Sequence, residues 1–198
     1  MAVSIEDVKK LNELTGVGLT TAKKALVEAE GDFDKALEEM RKKGLTRAEK
    51  RAEREAREGL IDSYVHNGRI GVVVEVNCET DFVARTEDFK ALVHNIALQI
   101  AAMSPKYITE ADIPAEELER VRSEAKERLK DDKKPEEIKE KIVEGQVKKH
   151  FAEQVLMLQN YIMDDSITVG DLIKDHIARL GENIVVNQFK RIELGVSE

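Results

Sequence analysis

The chain has 198 residues, of which 41% are apolar and 36% are charged, so both a packed core and a well-solvated surface are expected. Its formal net charge of −8 argues against general attraction to nucleic acid or to an anionic membrane. No apolar run approaches the roughly 20 residues of a membrane span, and the first residues lack the apolar core of a signal peptide. The single cysteine suits a reducing compartment. We therefore expect a cytoplasmic protein that does not bind membranes.

The first 44 residues predict a compact three-helix unit. Apolar residues recur at helical spacing on both sides of the turn Thr15-Gly16-Val17-Gly18. Gly31 is typical of a helix end and Asp32 of a helix start, and Gly44 would close the third helix. A unit this small has too little interior for a catalytic cleft. We therefore interpret residues 1–44 as a partner-docking module.

Residues 45–59 predict a charged linker helix, which Thr46 and Glu49 would open as a capping box. Such a charged segment is either a solvated linker or a basic docking face. It contains no aromatic residue, which weakens the case for recognition of RNA bases by stacking. We place the domain boundary near Gly59, so that residues 60–198 form the second domain.

The clearest β signal follows this boundary. The runs 60–66 and 69–76 flank Asn67-Gly68, a pair that favours a type I′ turn because both of its central residues need positive φ. Residues 86–103 then predict a helix, ended by Ser104-Pro105. The Val- and Ile-rich run 184–194 predicts a last strand that joins the hairpin in one sheet.

The intervening region predicts a helical hairpin at about residues 114–160. Helical patterns cover 114–134 and 135–163, with many charges and a thin apolar stripe, and the turn is expected at 131–135. The second helix becomes more apolar towards its end, which suggests that it rejoins the core. The predicted fold class is α+β, with a three-helix module, a linker helix and a small antiparallel sheet backed by helices.

Motifs for chemistry are missing from the sequence. There is no phosphate-binding loop, and Gly16-Val17-Gly18 lacks the third glycine of a dinucleotide motif. The four histidines are widely spaced and match no local metal-ligand pattern. A nucleophilic pair of Cys78 with a histidine is conceivable, but a buried packing role is the better interpretation. We therefore predict no cofactor, no metal and no enzymatic activity.

One connection between strand and helix, Thr80-Asp81-Phe82-Val83, places a large apolar residue where polar ones are usual. Phe82 could fold back as a lid over the sheet, or it could stand out as an apolar anchor for a partner. Asp81 could likewise cap a helix or present its carboxylate to a partner. Spacing alone does not choose between these readings.

The residues around this connection resemble a known family. The run from Glu75 to Arg85, EVNCETDFVAR, resembles the signature of translation elongation factor Ts. Six other segments match in the family's order: LTGVG, KKAL and EGD near the N-terminus, EGQVKK at 144–149, TVGD at 168–171 and GENIVV at 181–186. The resemblance covers essentially the whole chain.

This resemblance implies a guanine-nucleotide exchange factor for elongation factor Tu. The N-terminal unit would be a ubiquitin-associated-type module that docks on the GTPase, with Leu19 and Thr20 at its contact edge. The connecting residues would form a wedge beside the nucleotide site of the GTPase, where they perturb its magnesium and phosphate environment. The wedge comprises Thr80, Asp81, Phe82 and Val83.

The resemblance also bears on assembly. Longer relatives contain two related core halves, whereas this chain has one, so it resembles a short form that works as a homodimer with two chains of each partner. The core contacts carried over from the second half of those relatives are His66, Gly68, Leu180 and Gly181. Uncovered sheet edges independently favour self-association.

Three rival functions remain open at this point. The first 44 residues could form a non-catalytic module that binds peptides or ubiquitin-like proteins. The charged linker could make the protein a nucleic-acid adaptor, with binding that depends steeply on salt. An enzyme would show turnover without a protein partner.

Overall fold

A computed structural model describes residues 3–15, 17–130 and 135–196 of the chain. Its helices are α1 (Ile5–Thr15), α2 (Leu19–Glu28), α3 (Phe33–Arg51), α4 (Asp81–Ala84), α5 (Glu87–Met103), α6 (Ala115–Arg128), α7 (Glu136–Ala152) and α8 (Val169–Leu180). Its strands are β1 (Glu58–His66), β2 (Ile70–Cys78), β3 (Asn160–Tyr161), β4 (Asp164–Thr168) and β5 (Val185–Glu193). Within these ranges, no helix is long and apolar enough to cross a membrane. The α+β prediction is confirmed.

The first three helices pack around a small core of their own. Asp32 caps α3, since its Oδ1 accepts a hydrogen bond from the backbone N–H of Lys35 at 3.0 Å. Many of the buried side chains are alanines, so the helix backbones approach closely. The buried residues of this core are Val8, Leu11, Ala22, Ala25, Leu26, Ala29, Ala36 and Met40.

The prediction that α3 ends at Gly44 is wrong. Helix α3 continues to Arg51, so the predicted linker helix over 45–59 is its second half, followed by a short irregular stretch and by β1 from Glu58. A glycine inside a helix costs about 1 kcal/mol relative to alanine. Packing of α3 along α8 offsets this cost, which the local sequence does not reveal.

The last strand joins the hairpin in one antiparallel sheet, as predicted, and the strand order is β1-β2-β5. The hairpin turn has φ of 49° at Asn67 and 67° at Gly68, and the N–H of Arg69 donates to the carbonyl of His66 at 2.9 Å. One face of the sheet packs on α5 and α8 to form the largest core. Its buried members include Val72, Val74, Val76, Cys78, Phe89, Leu92, Val93, Ile96, Ile100, Val169, Ile173 and Ile177.

Helices α6 and α7 form the predicted hairpin, and their facing side chains make a third apolar cluster. The predicted turn at 131–134 lies outside the described residues. The prediction that the second helix reaches Met163 is wrong, because α7 ends at Ala152 and residues 160–168 form the small β3–β4 pair.

Residues after α7 bind distant parts of the chain instead of continuing the helix, for example where the N–H of Leu156 donates to the carbonyl of Tyr107 at 2.8 Å. Gln99 on α5 donates to the carbonyl of Asn160 at 3.1 Å and accepts from the N–H of Ile162 at 2.9 Å, so it binds backbone groups that a helix would have used internally. A short apolar run such as 155–158 does not distinguish a helix from a buried extended segment.

Gly145 lies in the middle of α7, with open space where a side chain would project. Substitution Gly145→Ala should therefore raise the free energy of unfolding by roughly 0.5–1 kcal/mol, since it removes backbone freedom from the unfolded chain. Urea unfolding followed by circular dichroism measures this difference. An unchanged or lower midpoint would contradict the described geometry of α7.

Candidate functional site

The TDFV connection forms a short exposed turn of helix at the end of β2. Thr80 has extended backbone angles, and its hydroxyl accepts a long hydrogen bond of 3.4 Å from the N–H of Val83. Val83 packs against the main core and Ala84 is buried. Phe82 points the other way, with 82% of its surface exposed. The structure therefore contradicts the reading in which Phe82 is a lid on the sheet.

Asp81 begins α4 but does not cap it, because Thr80 occupies the capping position. Its carboxylate lies 2.8 Å from the guanidinium of Arg85, one turn later on the surface. An exposed pair of this kind contributes at most about 1 kcal/mol to stability. The carboxylate remains accessible, which suits contact with a partner.

Two glutamates join the start of α4 to the loop between α8 and β5: Glu182 lies in that loop, and Glu79 lies between β2 and α4. Glu182 accepts hydrogen bonds from the backbone N–H groups of Glu79 at 3.1 Å and Thr80 at 3.0 Å, and from the Thr80 hydroxyl at 2.6 Å. In return, Glu79 accepts from the N–H of Asn183 at 2.7 Å. Sequence reasoning missed both glutamates, because carboxylates are too frequent in this chain for any one to stand out.

Cys78 lies directly beneath this turn. It is fully buried, and its Sγ donates to the carbonyl of Thr80 at 3.2 Å. Burial raises the pKa of the thiol to about 11, and the negative charge of Glu182 adds to the increase. The thiol is therefore neutral at physiological pH and serves as packing, which agrees with the preferred interpretation of this residue.

We expect Cys78 in the folded protein to react with iodoacetamide at pH 8 on the order of 100-fold more slowly than in urea, because an unfolded thiol has a pKa near 8.5. The pKa of the thiol is higher in the folded than in the unfolded protein. The neutral thiol therefore contributes fully to stability below the pKa of the unfolded chain, and this contribution is lost as the pH rises towards 11. Mass spectrometry of the alkylated protein gives both rates. Equal rates would contradict the buried, neutral thiol.

The other predicted core contacts lie at two different ends of the sheet. Gly181 ends α8 with φ of 82°, and with Leu180 it directly precedes Glu182 beside the TDFV turn. His66 and Gly68 lie at the hairpin turn, separated from the TDFV turn by the length of β2, about 25 Å at 3.3 Å per residue. The chain therefore brings Leu180 and Gly181 to the TDFV turn, but not His66 or Gly68.

The N-terminal module exposes its predicted edge. Leu19 and Thr20 begin α2, and Leu19 is 52% exposed. Leu14, which fits the helical pattern of a core residue, is equally exposed at the other side of the turn. Together Leu14 and Leu19 present two apolar side chains at one end of the module.

The outward face of the main sheet carries exposed apolar side chains among polar ones, a feature that sequence reasoning did not single out. Val65 and Ile192 flank Gly71 in one row across the three strands, and Val73 lies in the next row. We call this surface the open sheet face, defined by Ile61, Val65, Val73 and Ile192, which are between 49% and 72% exposed. In an antiparallel sheet with one face in water, the residues on that face are normally polar. Exposed apolar residues there are therefore unusual.

Among the residues that the structure describes, no group of three or more His, Cys, Asp and Glu side chains is arranged to hold a metal ion. At the TDFV turn, an exposed aromatic ring and an accessible carboxylate are available to bind a partner.

Comparison with known proteins assigns this arrangement to a family. The family described as "Elongation factor TS" matches residues 3–196. The chain is 53% identical to elongation factor Ts of Thermotoga neapolitana over 196 residues, which cover 98% of both proteins. It is 50% identical to elongation factor Ts of Fervidobacterium nodosum, covering 98% of this chain and all of the relative. The chain therefore belongs to the elongation factor Ts family.

Proposed function

We propose that this protein is a guanine-nucleotide exchange factor that binds elongation factor Tu with GDP and promotes GDP release during protein synthesis in the cytoplasm. Membership of the family supports an exchange role of this kind. The observation that carries the wedge mechanism is Phe82, a large apolar side chain that is 82% exposed on a turn anchored from below. Aromatic side chains of this kind often dominate the binding energy of an interface.

The mechanism is one of linked binding. If the factor binds nucleotide-free elongation factor Tu more tightly than its GDP complex, then GDP binds the factor complex more weakly by the same ratio. The wedge supplies this difference if Asp81 and Phe82 bind best to a conformation of the GTPase in which magnesium and phosphate bind poorly. No bond is made or broken, so the protein acts as a binding factor and not as a catalyst of chemistry.

We propose that the N-terminal module docks on the GTPase through Leu19 and Thr20. Substitution Leu19→Asp should raise the concentration of factor needed for half-maximal exchange by about tenfold, because a charge replaces an apolar contact. The maximal rate should stay unchanged, since the wedge is intact. Exchange rates titrated against factor concentration separate the two quantities.

Val27→Asp is the matched control, because Val27 is 57% exposed on the same helix, about 12 Å further along at 1.5 Å per residue. Equal effects of the two substitutions would contradict docking through Leu19. A fall in the maximal rate of Leu19→Asp would likewise contradict the division of labour between module and wedge.

We propose in addition that two chains associate through the open sheet face and bind two molecules of elongation factor Tu. A two-fold axis would place the same apolar patch of each chain against the other. Exposed patches of this kind mark interaction sites. In such a dimer, His66 and Gly68 of each chain would contact elongation factor Tu at a point distant from the wedge.

One assay separates exchange from the rival functions. Release of a fluorescent GDP analogue from elongation factor Tu should accelerate when less than one equivalent of the protein is added. A peptide-binding module, a nucleic-acid adaptor or an enzyme for another substrate would leave the release rate unchanged. No acceleration by folded protein would contradict the proposed function.

A further inference from the structure

We propose that Glu182 is a positioning residue for the wedge. It holds the wedge in the orientation needed for exchange before the protein binds the GTPase. The inference rests on the wedge function proposed above. The hydrogen bonds that Glu182 accepts come from the backbone of Glu79 and from the backbone and hydroxyl of Thr80, the two residues that precede the helical turn. Its effect on Phe82 therefore passes through these two residues, of which Thr80 caps the turn.

The first step is the orientation of the Thr80 hydroxyl. A threonine hydroxyl has one hydrogen to donate and two lone pairs that accept. Glu182 takes the hydrogen at 2.6 Å, which turns a lone pair towards the N–H of Val83 at 3.4 Å. Without the carboxylate, the hydroxyl is free to rotate away from its capping position.

The second step is the dependence of α4 on this cap. Helix α4 has four residues, far fewer than an independently stable helix needs. Glu182 holds the two residues before this helix, Glu79 and Thr80, and its last residue, Ala84, is buried in the core. Because Phe82 is 82% exposed, few side-chain contacts hold it. The backbone of this turn therefore sets the direction in which the side chain leaves the surface.

The third step connects the same network to helix α3. Asn183, which is buried, donates to the carbonyl groups of Ala52 at 3.3 Å and Arg54 at 2.7 Å. Arg54 in turn reaches the carboxylate of Glu79 at 3.5 Å. The end of the helix that carries the N-terminal module and the start of the wedge are therefore fixed to one loop, residues 181–183.

The experiment measures GDP release from elongation factor Tu over a full titration of the factor. We expect Glu182→Ala to lower the maximal rate about tenfold, the scale expected for losing hydrogen bonds to a charged group, while the half-saturating concentration stays close to that of the parent. A purely structural role predicts the reverse, because a smaller folded fraction raises the half-saturating concentration and leaves the maximal rate intact. That pattern would overturn the proposal.

Two further variants make the result specific. Glu182→Gln keeps the size of the side chain but replaces one accepting oxygen with a donor, so we expect a fall in maximal rate between those of the parent and the Ala variant. An unchanged maximal rate in folded Glu182→Gln would overturn the proposal even if Glu182→Ala does not fold. Glu119→Ala removes an exposed glutamate of α6 and should match the parent.

The double variant Glu182→Ala with Phe82→Ala tests whether the effect passes through the ring. We expect it to be no slower than Phe82→Ala alone, since a residue that acts through another adds nothing once the other is gone. A further fall would overturn the proposal. If Glu182→Ala keeps the parent's maximal rate of GDP release while Phe82→Ala loses it, the positioning role of Glu182 is overturned but the wedge is not. If Phe82→Ala keeps the parent's rate, both the wedge and the positioning role are overturned.

Discussion

Substitution Phe82→Ala is expected to abolish most of the acceleration of GDP release, a loss on the order of 100-fold, as for other aromatic anchors at the centre of an interface. The ring is 82% exposed in the isolated chain, so it contributes little to folding. The free energy of unfolding should therefore change by no more than about 0.5 kcal/mol. Stopped-flow release of a fluorescent GDP and urea unfolding measure the two quantities on the same preparation.

The matched control is Val27→Ala, which removes an exposed apolar side chain from α2. It should leave both the release rate and the stability unchanged. Phe82→Leu should retain part of the activity, because the wedge keeps an apolar side chain of smaller area. Full activity of Phe82→Ala would contradict the wedge, and a large loss of stability would contradict the exposure of its ring.

Substitution Ile192→Glu should convert a dimer into monomers. Ile192 is 72% exposed on the outer strand of the open sheet face, so the change costs little in the monomer. In a two-fold dimer each substitution occurs twice, and burying unpaired carboxylates should weaken association by on the order of 100-fold or more. Analytical ultracentrifugation at micromolar concentration gives the mass of the species present.

Ile138→Glu is the control for this experiment, since it adds the same charge to the exposed side of α7. It should leave the mass unchanged. A parent protein that sediments as a monomer would contradict the proposed assembly. A dimer that survives Ile192→Glu would move the interface away from the open sheet face.

Local sequence signals predicted much of the fold. Asn67-Gly68 identified the hairpin because both residues adopt positive φ at little cost. Asp32 and Gly31 marked the boundary between α2 and α3 for similar local reasons. The last strand, β5, was predicted from its Val- and Ile-rich run, and it joins the hairpin in one sheet as expected, by pairing with β2.

The wrong predictions depended on contacts between distant parts of the chain. Gly44 does not end α3, because α8 supports that helix from the far end of the sequence. The residues after Ala152 do not continue α7, since the N–H of Leu156 binds the carbonyl of Tyr107 and the buried amide of Gln99 binds the backbone further on. Neither contact leaves a signal in the local pattern of apolar residues.

The site shows the same division. The position of Phe82 in a connection was visible in the sequence, but its exposure was not, since a lid and an anchor have the same spacing. Glu182 escaped notice because it is separated from Thr80 by 102 residues. Leu14 and the open sheet face fit core patterns, and only the packed structure shows that nothing within the described residues covers them.

The proposed mechanism requires the wedge and GDP to compete for elongation factor Tu. Its most direct test is the equilibrium affinity of the factor for nucleotide-free elongation factor Tu and for its GDP complex, measured by calorimetry with the parent and with Phe82→Ala. We expect the parent to bind the nucleotide-free form more tightly, by the same ratio by which it weakens GDP binding. The ratio should fall close to one in Phe82→Ala. Equal affinity of the parent for both forms, or an undiminished ratio in the variant, would contradict this account.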